Sequence, residues 1–334
     1  MVSPSTTPFA LRVKRPNRCN VEASNPLIKV TSPSFSRHPD LVRSLRDHFP
    51  RAVVNSDGIR FQGEALQDYL ADADGAIIGL ERVDVPLLDA CPKLRIVAKF
   101  GVGLDAIDLK ACKARGVTIG WRGGVNRRSV SELVLSFMLG LARNSFQTAR
   151  LMRQGEWRKE GGFQLTGKTV GIIGVGHVGK DLVQLLKPFD CRILGNDILD
   201  MNEFYQEHGV IEAEKAEIYT RSDLISLHVP ATPLTHHLMD ASVFKSMKSS
   251  AFLINTSRGE VVEQQALKRA LMNRQIAGAA IDVYQSEPPN DKEFLTLPNL
   301  VCTPHIGGNA NEAVLAMGRS AIDFLDAYFG ATSV

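Results

Sequence analysis

Residues 168–187 read KTVGIIGVGHVGKDLVQLLK, and this stretch decides the fold of the chain. Its first six residues form a short apolar run rich in β-branched side chains, which is typical of a buried parallel strand. The next six, Gly174 to Gly179, fit the spacing G-x-G-x-x-G. Apolar residues then recur at helical spacing as far as Phe189. The stretch therefore predicts a strand, a glycine turn and a helix in unbroken succession.

Each glycine of this turn has its own physical role. Gly174 permits the tight turn, Gly176 lets the backbone approach a pyrophosphate, and Gly179 lets the helix pack closely on the strand. The phosphates would lie at the helix N-terminus, where free N–H groups and the helix dipole favour negative charge. We therefore expect a dinucleotide here, in contact with the three glycines and with His177 and Val178.

An acidic residue at the end of the next strand refines this expectation. Asp197 follows Gly179 by 18 residues (197 − 179). A carboxylate about 20 residues beyond the glycines can accept hydrogen bonds from the ribose hydroxyls. The same charge would repel a ribose 2′-phosphate, so we predict NAD rather than NADP as the cofactor. The plainer interpretation, a polar residue in a turn after a strand, is disfavoured by this position.

Composition limits the remaining possibilities. A length of 334 residues allows two domains, and 44% hydrophobic with 22% charged residues is ordinary for a soluble globular protein. The net charge of +3 has no long basic block behind it, so nucleic-acid binding is not expected, and no apolar stretch approaches membrane-spanning length. The five cysteines are scattered and never spaced C-x-x-C, which favours reduced thiols in the cytoplasm over a disulfide or metal framework.

The first 26 residues differ from the rest of the chain. They contain four prolines, four basic residues and a single acid. An organelle transit peptide would share part of this composition, but no clear amphipathic pattern is present. We expect residues 1–26 to be a poorly ordered or strapped-down extension.

Strand-like and helix-like segments alternate on both sides of the central stretch. Before it, strands are predicted at 27–30, 52–54, 76–78, 94–98 and 117–119, and helices at 39–49, 63–71, 86–91, 106–115 and 129–143. After Asp197, strands are predicted at 224–227, 251–254, 277–281 and 300–302, and helices at 261–275 and 310–329. This alternation predicts an α/β fold with parallel sheets that helices cover on both faces. The helix at 129–143 is apolar nearly all round and must be buried on several sides. The last helix is expected to return and pack on the first domain.

The charged residues just beyond the strand ends point to a reaction. Ligands of an open parallel sheet bind outside the carboxyl ends of its strands, and Arg258, Asp282, Glu287 and His305 all lie just beyond such ends. Each residue alone has an ordinary structural explanation, but together they place three functional groups at one crevice. Hydride transfer to a 2-oxo acid needs a cation for the substrate carboxylate, a proton donor for the carbonyl oxygen and a group that orients the donor. We assign these roles to Arg258, His305 and Glu287, respectively.

The motifs together resemble those of the D-isomer-specific 2-hydroxyacid dehydrogenases, and within them the phosphoglycerate-dehydrogenase-like branch. The matching stretches are 99–105, 126–132, 174–179 with Asp197, 228–230, 255–259, 282–288 and 304–308. The resemblance implies that Arg258, Glu287 and His305 are catalytic. It also implies substrate contacts from Lys99 and from the backbone N–H groups of Val102 and Gly103. Further cofactor contacts are implied for His228, Val229, Pro230, Thr235, Thr256, Ser257, Arg258, Asp282, His305 and Gly307.

The resemblance also implies an architecture. Residues 126–306 would form a Rossmann NAD-binding domain, and residues 27–125 with 307–334 would form a flavodoxin-like substrate domain. Family members use the long helix for dimer contacts, so residues 129–143 are expected to lie against a second subunit. Feedback control through a C-terminal regulatory domain of the kind some relatives carry is not expected.

The substrate remains open among three candidates, which are 3-phosphoglycerate, glycerate with hydroxypyruvate, and glyoxylate. Phosphoglycerate dehydrogenases usually hold the phosphate with an Arg-Ser pair, whereas residues 78–82 here lack that pair and add an acid. They also tend to have arginine where this chain has Lys99. Arg122, Arg127 and Arg128 are further sources of positive charge for the pocket.

Two other functions fit part of the pattern. An NAD-sensing transcriptional corepressor would keep the same Arg, Glu and His but usually adds long disordered tails and a peptide-binding cleft. Oxidation of formate or phosphite on the same scaffold would need different residues in the first-domain pocket. We therefore favour an NAD(H)-dependent dehydrogenase of a small D-2-hydroxy acid.

Overall fold

The computed structural model describes residues 25–330 and contains two parallel sheets, one in each half of the chain. The first half comprises β1 (Ile28–Val30), α1 (Pro33–Ser36), α2 (Pro39–His48), α3 (Gly63–Leu70), β2 (Gly75–Ile78), α4 (Val85–Ala90), β3 (Ile96–Lys99), α5 (Leu109–Ala114) and β4 (Thr118–Gly120). The predicted extension at 1–26 lies almost wholly outside the described residues, as do residues 331–334 of the predicted substrate domain.

The second half begins with a long helix and continues as regular α/β alternation. It comprises α6 (Arg127–Ala142), α7 (Ser145–Arg153), β5 (Thr169–Ile173), α8 (His177–Leu186), β6 (Arg192–Asn196), α9 (Asn202–His208), β7 (Ile211–Glu212), α10 (Lys215–Arg221), β8 (Leu224–Leu227), α11 (Ala241–Ser246), β9 (Phe252–Asn255), α12 (Gln264–Met272), β10 (Gly278–Ile281), α13 (Lys292–Leu295), β11 (Leu300–Cys302) and α14 (Asn311–Gly330).

The larger sheet has the strand order of a Rossmann domain. Its seven strands are all parallel and run β11-β10-β9-β8-β5-β6-β7. The order reverses between β5 and β8, and a ligand crevice is expected outside the carboxyl ends of the strands at such a switch point. The prediction from residues 168–187 is confirmed, because β5, the glycine turn and α8 follow one another directly at this point.

The smaller sheet runs β1-β2-β3-β4, and Val53 adds a single parallel bridge on the outer side of β1. With that bridge the order becomes the flavodoxin-like one. A full strand at 52–54 was expected, and this expectation was wrong. The N–H of Ala52 donates to Phe49 in the turn that ends α2, and Asn55 opens the next turn, so only Val53 is free to pair with β1.

Two predicted helices are shorter than their patterns suggested. The helix expected at 106–115 begins only at Leu109, because the Asp108 carboxylate caps it and Ile107 pairs with Val83 in a parallel bridge. The helix expected at 261–275 spans Gln264–Met272 and follows a 3-10 turn at Gly259–Val261. Both differences bring loop residues to the carboxyl edge of a sheet.

Two long helices connect the halves. The terminal helix α14 packs on the first sheet, where Ala321, Leu325 and Phe329 are buried in the same core as Ile28 and Ile77. In the second half α6 lies along α8 and buries Val134, Phe137 and Met138. None of the helices that lie within residues 25–330 is long and apolar enough to cross a bilayer.

The arginines at the start of α6 are directed at an acid on α8. The buried Asp181 accepts hydrogen bonds from the Ser131 hydroxyl and from Arg128, whose Nη2 lies 3.1 Å from Oδ1. Arg127 Nε lies 3.9 Å from the same carboxylate. We had considered Arg127 and Arg128 as sources of positive charge for the substrate pocket. Both instead form ion pairs with Asp181 and connect α6 to α8.

Candidate active site

The glycine turn has the geometry that a dinucleotide needs. Gly174 has φ +92°, and a Cβ there would lie 2.6 Å from the carbonyl oxygen of His228. A Cβ on Gly179 would lie 2.3 Å from the Gly174 carbonyl oxygen, so this glycine allows α8 to pack closely on the turn. A Cβ on Gly176, in contrast, would meet no atom within 4 Å. The turn is thus closed toward the protein at two glycines and open at the third, where a pyrophosphate could approach the backbone at the start of α8.

Asp197 lies directly over this turn. Its Oδ2 accepts a hydrogen bond of 2.7 Å from the N–H of Val175, and its Oδ1 accepts one of 2.9 Å from Leu199. Each oxygen keeps acceptor capacity, since a carboxylate offers about four lone-pair sites. The carboxylate is therefore held in place beside the glycine turn with lone pairs free for ribose hydroxyls.

The segment after β8 lines the other side of the switch point. The N–H of His228 donates to the carbonyl of Ile173 at 2.8 Å, and the Thr235 hydroxyl donates to the carbonyl of Pro230 at 2.6 Å. Burial lowers the pKa of His228 to about 4, and its Nε2 lies 2.9 Å from the Ser226 hydroxyl. His228 is therefore neutral at physiological pH and contributes shape and hydrogen bonding rather than charge.

The loop after β9 presents Arg258 and contains an unpartnered hydroxyl. The Asn255 side chain accepts from the N–H of Ser257 at 3.0 Å and donates to the carbonyl of Arg258 at 2.9 Å, which fixes the loop. The Oγ1 of Thr256 is buried, and no other group in the described part of the chain hydrogen-bonds to it. A buried hydroxyl without a partner is costly, which fits the expected contact with a bound cofactor.

Glu287 and His305 form a hydrogen-bonded pair at the end of the sheet. His305 Nδ1 lies 2.8 Å from Glu287 Oε2, and Glu287 Oε1 accepts a hydrogen bond of 3.1 Å from the N–H of Tyr284. Across residues 25–330, no protein group hydrogen-bonds to Nε2 of His305. Because Nδ1–H donates to the carboxylate, Nε2 is the nitrogen left to exchange a proton with a ligand.

Asp282 holds the loop that carries His305. It is 1% exposed, and its Oδ1 accepts from the Thr303 hydroxyl at 2.6 Å and from the N–H of Ile306 at 2.8 Å. Its Oδ2 accepts from the N–H of Gly307 at 2.7 Å. The sequence suggested a cofactor contact for Asp282 and Gly307, and the structure adds that Asp282 determines where the His305 loop lies.

The other side of the cleft comes from the first sheet. Lys99 is 7% exposed, and its ammonium donates to the carbonyl oxygen of Gly79. Burial lowers the pKa of Lys99 to about 8, while the negative charges of Glu81 and Asp105 oppose that change. The Glu81 carboxylate accepts a hydrogen bond of 2.7 Å from the N–H of Gly79, so an anion lies close to the one buried ammonium of the described pocket.

The turn after β3 brings free donors to the same place. No protein acceptor in the described structure binds the N–H groups of Val102 and Gly103. Trp121 Nε1 donates to the carbonyl of Val102 at 2.9 Å and so fixes the turn. A Cβ on Gly103 would lie 2.1 Å from Nη2 of Arg258, so the two halves meet here. Trp121 was not predicted, because no local pattern connects it with Val102.

Arg258 and the Val102–Gly103 turn thus meet directly, and His305 follows β11 at the same carboxyl edge of the sheet at which Arg258 follows β9, so this edge offers an arginine fork, an imidazole and two backbone donors. This set can bind a carboxylate, polarise a neighbouring carbonyl and move a proton. In line with this, residues 135–307 match the family model described as D-isomer specific 2-hydroxyacid dehydrogenase, NAD binding domain. The glyoxylate reductase of Korarchaeum cryptofilum is 35% identical over 273 residues, which are 79% of this chain and 82% of that protein.

The chain belongs to the D-isomer-specific 2-hydroxyacid dehydrogenases.

Two further similar proteins are informative. The D-3-phosphoglycerate dehydrogenase of Methanocaldococcus jannaschii is 35% identical over 259 residues, and the chain spans only about half of it (49%). A crystal structure of an NADPH-dependent glyoxylate/hydroxypyruvate reductase from Sinorhizobium meliloti, in complex with NADP and malonate, superposes with a TM-score of 0.78 at 29% identity. That match covers 92% of this chain and 94% of the reductase. A D-2-hydroxyacid dehydrogenase is an NAD-dependent oxidoreductase that acts on the CH–OH group of a 2-hydroxy acid, as the sequence predicted.

Proposed function

We propose that the enzyme reduces a small, unphosphorylated 2-oxo acid, glyoxylate or hydroxypyruvate, to the corresponding 2-hydroxy acid with NADH. The observation that carries this proposal is the hydrogen-bonded pair of His305 and Glu287, 2.8 Å apart, at the carboxyl edge of the sheet that also presents Arg258. The identity of 34% to 35% to two glyoxylate reductases, over 82% of each, supports the same substrate class.

The chemistry follows from the side chains. Arg258 binds the substrate carboxylate and polarises the carbonyl, while the N–H groups of Val102 and Gly103 hold the carboxylate from the other side. NADH, when it is held by the glycine turn and Asp197, would supply the hydride to C2. His305 donates the proton that the carbonyl oxygen then requires, from Nε2, and Glu287 stabilises the imidazolium and orients the ring.

The cofactor residues have separate tasks. The Gly174–Gly179 turn binds the pyrophosphate, Asp197 binds the ribose hydroxyls, and Thr256 offers its unpartnered hydroxyl. The remaining contacts that we propose come from the segments that line the crevice: His228, Val229, Pro230, Thr235, Ser257, Arg258, Asp282, His305 and Gly307.

The surroundings of Lys99 favour an unphosphorylated substrate. A phosphate carries nearly two negative charges and needs uncompensated cations, usually arginines. Here the Arg-Ser pair is absent. The Lys99 ammonium donates to the carbonyl of Gly79, and the N–H of the same residue donates to the Glu81 carboxylate, so a negative charge lies near the lysine. The alternative substrate, 3-phosphoglycerate, is favoured only by the presence of this lysine and by the identity to phosphoglycerate dehydrogenases. Lys99 is better suited to the hydroxyl of hydroxypyruvate.

We further propose that residues 27–125 with 307–334 act as a substrate domain and residues 126–306 as the NAD-binding domain. The two sheets with separate cores, and the packing of α14 on the first sheet, support this division. The chain passes between the proposed domains twice, near residue 126 and near residue 307. The Ser129 hydroxyl donates to the carbonyl of Gly307 at 2.6 Å, so these two connections lie side by side.

A homodimer is the proposed assembly. The region after α6 exposes large apolar side chains, with Phe146 40%, Met152 51% and Trp157 75% exposed. A second subunit that covers α6 and α7 would remove them from water. Light scattering at micromolar concentration should give twice the chain mass, and a Trp157→Glu variant should shift the mass toward the monomer.

A cytoplasmic location is part of the same proposal. Cys91, Cys112, Cys191 and Cys302 are all free thiols, as is usual for proteins of a reducing compartment. Fractionation of the native cells with an antibody to the chain tests it.

The product of the reaction tests the proposed function directly. The enzyme should convert hydroxypyruvate and NADH to D-glycerate and glyoxylate to glycolate, with one NADH consumed for each product molecule. Chiral chromatography separates D- from L-glycerate. L-glycerate, or bound NADH that is never oxidised, would contradict the proposal, and the second result would favour a sensor over an enzyme.

A further inference from the structure

Asp105 connects the two halves of the cleft through an ion pair with Arg258. Its Oδ2 accepts from Nη2 of Arg258 at 2.7 Å and from Nε at 3.0 Å, although the two residues are 153 positions apart in the sequence. The carboxylate is 45% exposed and has no other hydrogen bond within the described residues. Its one partner is thus the residue that binds the substrate carboxylate in the proposed function.

We propose that Asp105 is a positioning residue that holds the Arg258 guanidinium in the orientation that binds the substrate carboxylate. This proposal rests on the proposed function, since it assumes that Arg258 contacts a 2-oxo acid.

The number of hydrogen-bond donors on Arg258 indicates that Asp105 positions this residue and does not compete with the substrate for it. A guanidinium has five N–H donors in a fixed plane. Asp105 receives two of them, and the carbonyl of Ser257 receives one from Nη1 at 2.6 Å. Two donors remain, which is the number that a carboxylate binds in the bidentate arrangement. A substrate can therefore bind Arg258 without displacing Asp105.

The steric surroundings of Arg258 point the same way. The backbone at Gly103 closes one side of the guanidinium, because a Cβ there would lie 2.1 Å from Nη2. Asp105 and Ser257 hold it on two other sides. Asp105 also supplies a negative charge close to both Arg258 and Lys99, where two cations would otherwise repel each other. Although burial is the main cause of the lowered pKa of Lys99, Arg258 lowers it further and Asp105 raises it.

The test compares Asp105→Ala and Asp105→Asn with Asp108→Ala as a matched control. Asp108 lies three residues further on and only caps α5. The measurements are kcat and KM for hydroxypyruvate, the Kd of NADH, and the Kd of oxalate for the enzyme–NADH complex from nicotinamide fluorescence. Oxalate has two carboxylates and no reducible carbonyl, so its binding reports on Arg258 without turnover.

We expect Asp105→Ala to raise the KM and the oxalate Kd by about 10- to 100-fold, the loss of one charge-assisted contact, and to lower kcat. Asp105→Asn keeps an oxygen acceptor and should recover part of the loss. The Kd of NADH should stay unchanged in both variants, and Asp108→Ala should keep wild-type constants. If Asp105→Ala does not fold, Asp105→Asn decides the question.

Unchanged or lower values of the oxalate Kd and KM in the Asp105 variants would overturn the proposal, and lower values would show that Asp105 competes with the substrate. A wild-type enzyme that oxidises no NADH with any 2-oxo acid would instead overturn the proposed function. Because oxalate binding does not need turnover, the two failures remain distinguishable.

Discussion

His305 Nδ1 lies 2.8 Å from Oε2 of Glu287, and the second oxygen of that carboxylate is held by the N–H of Tyr284. The ring is thus oriented from one side while Nε2 has no protein partner within residues 25–330. In this arrangement one nitrogen is fixed and the other is available for proton transfer.

Removal of this imidazole should abolish most of the turnover. His305→Ala should lower kcat by roughly 10²- to 10⁴-fold, the usual contribution of a general acid. Glu287→Gln should lower kcat by a smaller factor, because an oxygen acceptor remains but the charge that stabilises the imidazolium is lost. Steady-state NADH oxidation measures both, with His48→Ala on the exposed face of α2 as the control. Near wild-type turnover in His305→Ala would remove His305 from the mechanism.

The glycine turn makes a paired prediction. Gly174→Ala should lower the melting temperature, because φ is +92° and the new Cβ would lie 2.6 Å from the carbonyl of His228. Gly176→Ala has open space and should leave the melting temperature of the free protein nearly unchanged, but its methyl would lie where the pyrophosphate approaches. Calorimetry and NADH fluorescence titration should therefore show a stability defect in the first variant and a binding defect in the second. The reverse pattern would mean that the dinucleotide does not bind over this turn.

Asp197 should decide between the two nicotinamide cofactors. Its carboxylate is held by the N–H groups of Val175 and Leu199, in a position where it would repel a 2′-phosphate. The wild type should have a higher kcat/KM with NADH than with NADPH, and Asp197→Ala should reduce that ratio by about 10-fold or more. Asp190→Ala, at the other end of β6, is the matched control. Equal efficiency of the wild type with both cofactors would contradict this role.

Lys99 should make substrate binding sensitive to alkaline pH. Burial lowers its pKa to about 8, so the ammonium loses its charge as the pH rises through that value. The KM for hydroxypyruvate should rise above pH 8 in the wild type, and Lys99→Met should have a KM about 10-fold higher that no longer changes over this range. Lys110→Met, on the exposed face of α5, controls for the loss of a lysine. A wild-type KM that is constant from pH 7 to about pH 9 would exclude Lys99 from the binding site.

The buried charge of Lys99 should also lower the free energy of unfolding of the protein. The pKa is about 8 in the folded chain and has a usual value of 10.5, so the unfolded chain binds more protons between these two values. Stability of the wild type relative to Lys99→Met should therefore rise with pH across this window. Below pH 8 the variant should be more stable by about 1 to 3 kcal/mol, a difference that urea unfolding measures. A variant that is less stable than the wild type at pH 7 would show that the bond to Gly79 outweighs the burial of the charge.

The features that the sequence could predict depend on local periodicity. The apolar run at 169–173, the glycine spacing and the helical repeat after it place β5, the turn and α8 without reference to any other part of the chain. Arg258, Glu287 and His305 could be predicted as site residues because polar residues after parallel strands share one edge of a sheet.

The features that the sequence could not predict depend on how the two sheets face each other. Nothing local indicates that Asp105 reaches Arg258 or that Trp121 holds the carbonyl of Val102. Lys99 is buried under the loop at Gly79, which follows the neighbouring strand β2 and accepts its hydrogen bond. The expected strand at 52–54 was reduced to one bridge by the turns on each side of it, which the apolar pattern does not reveal.

The substrate class distinguishes a reductase of unphosphorylated 2-oxo acids from a phosphoglycerate dehydrogenase. The most direct measurement is the kcat/KM of the wild type with NADH for glyoxylate, hydroxypyruvate and phosphohydroxypyruvate, compared in one buffer. We expect hydroxypyruvate or glyoxylate to be preferred over the phosphorylated acid by about 10-fold or more. A preference for phosphohydroxypyruvate would contradict it and would mean that Lys99 replaces the missing Arg-Ser pair despite the nearby charge of Glu81.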